Sequence, residues 1–308
     1  YRLYAGQQDN TGIGVPAWHD SNTLHPKMNW VNPGGCETGS IVVDPNDRNI
    51  SYGACYGGEI SYVNMATGEY RNVLIYPQLQ AGSAGRDLKY RFQWVAPILI
   101  SQHDSNVVYH ASNFLHRTTD SGFSWETISP DLTTDNPEHQ DFSGGPIHHD
   151  ITGVEMYGTI FALAESPHDA GELWTGSDDG RVHLSRDSGA SWTDVTPEGM
   201  PTLGTVDEIE VSRHALGRAI MAVQRYRMDD YSPYIYATGD WGASWNLLTE
   251  GNGIPEDYPV RTVREDPVTP GLLYAGTEFG VFVSFDDGAH WQSLQLDLPI
   301  TPVTGMRV

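Results

Sequence analysis

The sequence predicts an all-β fold, a β-propeller of four-stranded antiparallel blades, because one short motif recurs four times along it. The motif reads Ser/Thr-x-Asp-x-Gly-x-x-Trp and follows a strand-forming stretch in each copy. Its Asp can accept hydrogen bonds from turn amides, its Gly can adopt positive φ, and its Trp can cover the hairpin base. We therefore assign each copy to a hairpin between the last two strands of a blade. The motif residues are Asp120, Gly122, Trp125, Asp187, Gly189, Trp192, Asp240, Gly242, Trp245, Asp286, Gly288 and Trp291.

A second repeated pattern lies upstream of each hairpin. An apolar strand ends at a polar turn, and a following strand commonly ends in an aromatic and a small residue, as in residues 161–167 with 173–176 and 263–267 with 272–276. The first strand lacks a clean polar face, as expected for a strand buried on both sides. Each repeat therefore contains four strands, which we name A to D, with the acidic hairpin joining C to D.

The spacing of the motif sets the blade boundaries. Successive motif aspartates are 67, 53 and 46 residues apart, whereas a four-stranded blade takes roughly 40–50 residues, so the longer gaps contain insertions. We predict one propeller domain or propeller portion over 1–308, with about six blades, either complete or part of a seven-bladed or double propeller. The predicted blades are 39–74, 94–130, 158–197, 206–249 and 260–296, with partial blades at 1–31 (strand B at 1–6) and 303–308 (strand A).

Composition and charge narrow the classes of partner. Gly occurs 33 times and Pro 19 times, which suits short strands joined by tight turns. The formal net charge of −23 repels phosphate backbones and anionic membranes, so we expect no nucleic-acid partner. No apolar run is long enough for a membrane span, and we expect no membrane insertion. The acidity fits an extracytoplasmic protein, secreted or periplasmic, and equally a protein from a high-salt organism.

The sequence contains two cysteines. Cys36 and Cys55 flank a predicted hairpin, and two readings stay open: a disulfide in an oxidising compartment, or two half-buried thiols.

The longest irregular stretches, 76–91 and 129–153, both run from strand D of one blade to strand A of the next. Loops of that length in a compact domain are usually functional or mobile.

These hairpins resemble Asp boxes, the repeats of bacterial neuraminidases. The wider pattern resembles large bacterial propeller proteins labelled glycosyl hydrolases, which are related to sortilin-type and xyloglucanase propellers. The resemblance covers essentially the whole chain, and segments 1–10, 87–94, 143–153 and 277–291 are typical of it. It implies a longer parent chain with further blades. It implies no single function, because Asp boxes occur in sialidases, xyloglucanases, sorting receptors and photosystem assembly factors.

Candidate site residues come from the B–C turns and D–A loops, which share one face of a propeller, whereas the acidic hairpins lie on the other. Asp178 or Asp179 with Glu278 are the candidate catalytic carboxylates for glycoside hydrolysis. Asp-Asp-Gly is also ordinary turn chemistry, and Glu278 also fits the start of a strand. The candidate ligand-binding residues are Asp9, Glu37, Arg91, Trp94, His148, Arg225 and Tyr226, with Trp94 or Tyr226 able to stack on a sugar.

Two hypotheses follow. The first is a non-enzymatic binding or scaffolding propeller that holds a protein or glycan on this face, because the repeats come without a recognisable catalytic constellation. The alternative is a xyloglucanase-like glycoside hydrolase, which requires two carboxylates facing an open groove at roughly 5–10 Å. Carboxylates locked to Arg partners would favour binding. We expect no cofactor and no metal site, because adjacent His148 and His149 point apart on an extended chain. Calcium at the paired aspartates stays an open alternative that no motif indicates, since they lack EF-hand spacing.

Overall fold

The computed structural model describes residues 2–17, 29–37, 39–150, 152–153 and 156–308. Parts of the predicted segments 1–6, 1–10, 1–31, 129–153 and 143–153 therefore lie outside the described residues. The chain divides into two compact units. The first comprises Tyr1–Asp131 and Asp135–Ile160, and the second comprises Leu132–Thr134 and Phe161–Val308.

The described part of the chain forms one two-stranded sheet and five four-stranded sheets, with strands in consecutive antiparallel order. The strands up to β10 are β1 (Arg2–Ala5), β2 (Ile13–Pro16), β3 (Ile41–Val43), β4 (Ile50–Ala54), β5 (Ile60–Asn64), β6 (Glu69–Asn72), β7 (Ile98–Ile100), β8 (Val108–Ala111), β9 (Leu115–Thr118) and β10 (Glu126–Thr127). The later strands are β11 (Ile160–Glu165), β12 (Leu173–Ser177), β13 (Val182–Ser185), β14 (Thr193–Asp194), β15 (Thr205–Val211), β16 (Ala219–Arg225), β17 (Asp230–Thr238), β18 (Asn246–Leu247), β19 (Val260–Glu265), β20 (Leu273–Thr277), β21 (Gly280–Ser284) and β22 (Gln292–Ser293). Short 3₁₀ turns lie at Tyr56–Gly58, Gly85–Asp87, Pro137–His139 and Tyr226–Met228.

The predicted fold class is confirmed: the chain is an all-β propeller fold of four-stranded antiparallel blades. The four-stranded sheets β3–β6, β7–β10, β11–β14, β15–β18 and β19–β22 each fall within one predicted complete blade, apart from small differences at the ends. At the N-terminal end, β1 pairs with β2, and Gly14 bridges Val31.

The predicted A strand at 303–308 is not formed. The amide of Val303 donates to the carbonyl of Thr277, and Val303 packs over Gly276 as Val206 packs over Gly176 two repeats earlier. The segment therefore lies against strand B of the preceding blade, where an A strand belongs, but its residues are in no strand.

The acidic hairpins share one hydrogen-bonding pattern. In the second copy, Asp187 Oδ1 accepts from the amide of Ser191 at 2.8 Å and from Ser185 Oγ at 2.9 Å, and Oδ2 accepts from Ser191 Oγ at 2.6 Å. These bonds lower the pKa of Asp187, with the Ser191 side chain contributing most. Two successive residues, Ser188 and Gly189, have positive φ (61° and 91°), which reverses the chain within the turn.

Three of the four motif tryptophans link neighbouring blades and do not simply cover their own hairpins. The indole N–H of Trp245 donates to the carbonyl of Val195, which directly follows β14 of the preceding blade, at 2.8 Å. Trp125 makes the equivalent bond to Val73 at 2.8 Å, and Trp291 bonds to Leu248 at 2.9 Å. The ring therefore supplies apolar contact while its one donor is satisfied across the blade boundary.

The cysteines form a disulfide, which settles the alternative left open by the sequence. Cys36 and Cys55 are bonded with their Cα atoms 5.0 Å apart. The predicted hairpin lies between them, since Val43 pairs with Ser51 and Ile41 pairs with Gly53. The bond thus ties the segment before β3 to the end of β4.

Candidate functional site

In the second unit, the B–C turns and the starts of the A strands lie at the same end of each sheet. Thr205 at the start of β15 pairs with Gln224 at the end of β16, and Val260 at the start of β19 pairs with Thr277 at the end of β20. We call this the B–C end of the second unit. It carries five of the sequence-predicted residues: Asp178, Asp179, Arg225, Tyr226 and Glu278.

The Asp178–Asp179 pair lies in the β12–β13 turn and is buried. Asp179 is 4% exposed, and its Oδ2 accepts from the amide and hydroxyl of Thr134 at 2.9 and 2.6 Å. Its Oδ1 accepts from Ser177 Oγ at 2.6 Å. The side chain of Asp178 is also buried, and its backbone carbonyl accepts from Thr205 Oγ1 at 3.1 Å. Asp179 thus acts as a turn acceptor with both oxygens occupied.

Glu278 belongs to a cluster centred on Arg261. The guanidinium donates from Nε to Asp207 Oδ2 at 2.6 Å and from Nη1 to Glu278 Oε1. The Arg261 and Asp207 side chains are 16% and 3% exposed, whereas Glu278 is 25% exposed. A charged pair this buried costs desolvation energy, which is offset only by well-aligned hydrogen bonds.

Two β-bulges bring Asp207 and Arg261 together. In β15, Val206 pairs with Val223 and Glu208 with Ala222, which leaves Asp207 as the extra residue. In β19, Arg261 is the extra residue between Val260 and Thr262 in the same way. A bulge bends the strand and re-aims the side chain of its extra residue.

Desolvation dominates the electrostatics of Asp207. Burial raises its pKa to about 6 despite the favourable charge of Arg261, and the two acidic partners raise the pKa of Arg261. Asp207 Oδ1 is buried and has no hydrogen-bond partner within the described ranges. The cluster therefore holds one buried carboxyl that is only partly satisfied.

At this end Arg227 and Phe279 are exposed, and Tyr226 is half-buried. The guanidinium carbons of Arg227 and Arg261 each lie 5.5 Å from the Tyr226 ring centroid. Phe279 is 41% exposed and packs against Tyr258 with the ring centroids 4.6 Å apart. We call Tyr226, Arg227 and Phe279 the Tyr226 group.

Arg225 is the last residue of β16, and its side chain is held at the turn between β16 and β17. Its Nε donates to the carbonyl of Thr202 at 2.8 Å, and its Nη1 lies 3.2 Å from Asp230 Oδ2. Tyr234 also donates to Asp230 Oδ2, at 2.9 Å. Arg225 therefore fixes the shape of the turn that presents Tyr226.

Sequence reasoning missed a row of charged side chains on β15 and β19, the strands expected to be apolar. Arg264 donates from Nη1 to Glu210 Oε2 at 2.8 Å and from Nη2 to Glu208. Desolvation raises the pKa of Glu210 to about 7 and lowers that of Arg264 to about 9. The pairs Asp207–Arg261, Glu208–Thr262 and Glu210–Arg264 each join residues 54 positions apart. That constant offset means that equivalent positions of successive repeats meet.

In the first unit, Arg91 and Trp94 follow the loop 76–91. Arg91 is 5% exposed and donates to the carbonyl of Gly158 at 3.0 Å and to Asp131 Oδ2 at 2.9 Å. Its Nη1 also lies 3.4 Å from Asp135 Oδ1. Little of the Arg91 guanidinium is therefore left for a ligand. Trp94 is half-buried.

The remaining predicted residues of the first unit are exposed or half-buried. The amide of Asp9 donates to Glu37 Oε2 at 2.8 Å, so these two residues do come together. His148 is exposed on a small hairpin closed by a bridge between Gly144 and His149. Among the residues that the structure describes, no group of three or more His, Cys, Asp or Glu side chains is arranged to hold a metal ion. The described residues also include no helix with the length and apolarity to cross a bilayer.

Comparison with known proteins identifies structural relatives and no sequence relatives. No protein-family model matches the chain, and no curated protein matches it by sequence. The structure is similar to the GH74 xyloglucanase from Xanthomonas campestris (TM-score 0.66, 17% identity) and to the Niastella koreensis GH74 enzyme (TM-score 0.61, 15% identity). Each alignment covers 95% of this chain and 43% of the other, so the chain spans less than half of either enzyme.

A third similar structure is YCF48 bound to D1 peptide (TM-score 0.54, 13% identity), with 95% of this chain and 77% of that chain covered. Identities this low establish the fold and nothing more specific. This chain has a β-propeller fold. The fold hosts both enzymes and binding proteins, so function has to be argued from the site.

Proposed function

We propose that this chain is an extracytoplasmic binding propeller that holds a protein or glycan ligand on its B–C and D–A loop face. The acidic hairpins are Asp boxes in this proposal, and their aspartates serve the fold. In the second unit, ligand contact falls to Tyr226, Arg227 and Phe279.

The observation that carries the proposal is that the candidate catalytic carboxylates Asp179 and Glu278 are already hydrogen-bonded or ion-paired within the protein. Both oxygens of Asp179 accept hydrogen bonds from Thr134 and Ser177, and Asp179 is 4% exposed. Glu278 is paired with Arg261, which also holds Asp207. Glycoside hydrolysis needs one carboxyl to protonate the leaving oxygen and another to attack or activate water. Carboxyls already bonded within the protein are poorly placed for either step.

The Tyr226 group offers contacts that suit recognition. Tyr226 and Phe279 present aromatic surface with few rotatable bonds, so ordering them on binding costs little entropy. Arg227 is exposed, and no hydrogen bond fixes its guanidinium within the described part of the chain. Aromatic and Arg side chains dominate binding energy in many interfaces.

The test is a screen on glycan and peptide arrays with the purified chain, followed by binding measurements with the double variant Tyr226→Ala/Arg227→Ala. We expect affinity for a selected ligand to fall by at least tenfold, which corresponds to about 1.4 kcal/mol. Phe285→Ala is the matched control, because Phe285 is 68% exposed beside the acidic hairpin at the other end of its sheet. Equal binding by the double variant and the control would refute the assignment of this surface.

The second candidate function is a xyloglucanase-like glycoside hydrolase that uses Asp178, Asp179 and Glu278. The fold similarity to two GH74 enzymes favours it. Release of reducing sugar from xyloglucan, abolished by Asp179→Ala or Glu278→Ala and retained in Asp194→Ala, would establish this candidate and displace the binding proposal. Asp194 serves as the control because it is a half-exposed carboxylate paired with Arg181.

The cellular location and the parent chain belong to the same proposal. The Cys36–Cys55 disulfide supports an oxidising, extracytoplasmic compartment. The 43% coverage of the GH74 enzymes supports further propeller blades in a longer parent protein. Fractionation of the native host, with the mass of the mature protein, tests both points.

A further inference from the structure

The two long loops that the sequence singled out form a cavity in the first unit. Residues 83–85 of the first loop and several residues of 139–157 enclose a volume of about 130 Å³. Its lining includes Asp141, Asp150, His139, Phe142 and Tyr157. We call it the loop cavity. It is well below the 300–1,000 Å³ or so of drug-sized ligand pockets, so it suits one group of side-chain size.

Hydrogen bonds between the two loops hold the walls of the loop cavity. The amide of Arg86 donates to the carbonyl of Gln140 at 3.1 Å, and Arg86 Nη1 lies 2.9 Å from Asp141 Oδ2. Gln80 Nε2 donates to the carbonyl of Gly153 at 2.8 Å. The cavity is therefore a built feature of the paired loops.

The lining combines ionised carboxylates with aromatic rings. Hydrogen bonds from the backbone and side chain of Thr152 lower the pKa of Asp150, and the amide of Phe142 with Arg86 lowers that of Asp141. Arg86 neutralises Asp141, whereas Asp150 forms no ion pair with Lys or Arg in the described part of the chain. The rings of His139 and Tyr157 meet edge to face with centroids 5.7 Å apart.

We propose that the loop cavity binds a cationic nitrogen group, an ammonium or guanidinium, carried by a small amine or by a basic side chain of a peptide. Carboxylates and aromatic faces are the two protein features that attract such groups. The net charge of −23 raises the local concentration of cations around the whole molecule. An anionic or purely apolar group would meet the unpaired charge of Asp150 and is disfavoured.

The experiment is a calorimetric titration of the whole chain at low ionic strength with four probes. Nα-acetyl-lysine methylamide and Nα-acetyl-arginine methylamide carry the cation, the corresponding norleucine amide is the neutral isostere, and 1,4-diaminobutane is the small amine. We expect the cationic probes to bind at least tenfold more tightly than the isostere, and added salt to weaken them. Tighter binding of the amino-acid amides than of the diamine points to a peptide source, and the reverse points to a small amine.

Two variants locate the binding. Asp150→Asn removes the charge but keeps the oxygen that accepts from the amide and hydroxyl of Thr152, and we expect about tenfold weaker binding. Asp104→Asn is the matched control, because Asp104 Oδ1 accepts from the amide and side chain of Asn106 in a like turn elsewhere in the first unit. Asp141→Asn is the second variant if Asp150→Asn fails to fold. Equal binding of the isostere, or equal losses in Asp150→Asn and Asp104→Asn, would overturn the proposal.

Discussion

Replacing Arg261 by Met should destabilise the second unit strongly, because it leaves the buried carboxylate of Asp207 without its cationic partner. Asp207 is 3% exposed and accepts the Nε–H of Arg261 at 2.6 Å, while its other oxygen already lacks a partner among the described residues. Met occupies a comparable volume but provides neither charge nor donor. The loss is therefore electrostatic and leaves packing largely intact.

The magnitude follows from the pKa of Asp207. That pKa is raised to about 6 from 3.8, a difference of about two units. At about 1.4 kcal/mol per unit, keeping Asp207 ionised at neutral pH already costs roughly 3 kcal/mol with Arg261 present. Removing one partner of a buried pair typically costs a further 3–5 kcal/mol or so, and we expect the Arg261→Met variant to lose about that much at about pH 7.

The pH dependence has a defined sign. The folded-state pKa of this acid lies above its unfolded value, so the folded state binds more protons between the two values. The contribution of Asp207 to stability therefore rises as pH falls from above about 6 towards about 4. In the variant, whose Asp207 has a still higher pKa, the rise begins at a higher pH and is larger in total. The difference between variant and wild type should shrink on acidification.

Native-state hydrogen exchange of the β15 and β19 amides measures the loss locally, which avoids assuming a two-state transition in a chain with two units. Arg181→Met is the matched control, because Arg181 and its partner Asp194 are 44% and 45% exposed, and such pairs contribute about 1 kcal/mol or less. The double variant Asp207→Leu/Arg261→Met should recover most of the loss. A cost for Arg261→Met below about 1 kcal/mol, or one independent of pH, would refute the reasoning.

Two further predictions concern the hairpins and the first unit. Gly242→Ala should lower the free energy of unfolding, measured by denaturation, by about 2 kcal/mol, because Gly242 has φ 78° and an added Cβ would lie 2.7 Å from Val195 Cβ. Gly239→Ala is the control: an added Cβ there meets open space, and the free energy of unfolding should change by less than about 0.5 kcal/mol in the same assay. Burial lowers the pKa of His110 to about 4, so the unfolded chain binds a proton that the folded chain does not, and His110 alone should lower the stability of the first unit by roughly 3 kcal/mol between about pH 6.5 and 4. Denaturation of His110→Gln across that range should show a shallower decline, and an unchanged slope would contradict the assignment.

The sequence was sufficient to predict the fold because the acidic hairpins are local structures. All the donors to Asp187 lie within four residues of it, so the motif specifies its own geometry. The role of Trp245 was harder to predict. Its hydrogen-bond partner, Val195, is 50 residues away, and nothing in the motif indicates which backbone carbonyl the indole will reach.

The candidate site was less predictable, because turn sequences do not show whether a carboxylate is free. Asp178-Asp179-Gly180 reads equally well as a turn and as a catalytic pair. The partner of Asp179 is Thr134, 45 residues earlier in an irregular loop, and only the tertiary fold brings the two together. The sequence points to Tyr226 and Glu278 in separate turns, but it does not point to Arg261, which contacts both of them.

One signal for the Arg261 cluster was present in the repeats themselves. Aligned at the 54-residue offset, Asp207-Glu208-Ile209-Glu210 faces Arg261-Thr262-Val263-Arg264, so acidic positions of one repeat match basic or hydroxyl positions of the next. Repeat proteins place equivalent positions of neighbouring units side by side, so opposite charges at equivalent positions predict contact. An alignment of the repeats does not show where the extra residue of each bulge points. The bulges put the extra residue of each strand at the B–C end, where Arg261 meets Glu278 and the ring of Tyr226. The bulge that buries the Asp207 carboxylate, at a cost in desolvation free energy, acts together with the bulge at Arg261. The two bulges thereby also orient the accessible surface proposed to bind a ligand.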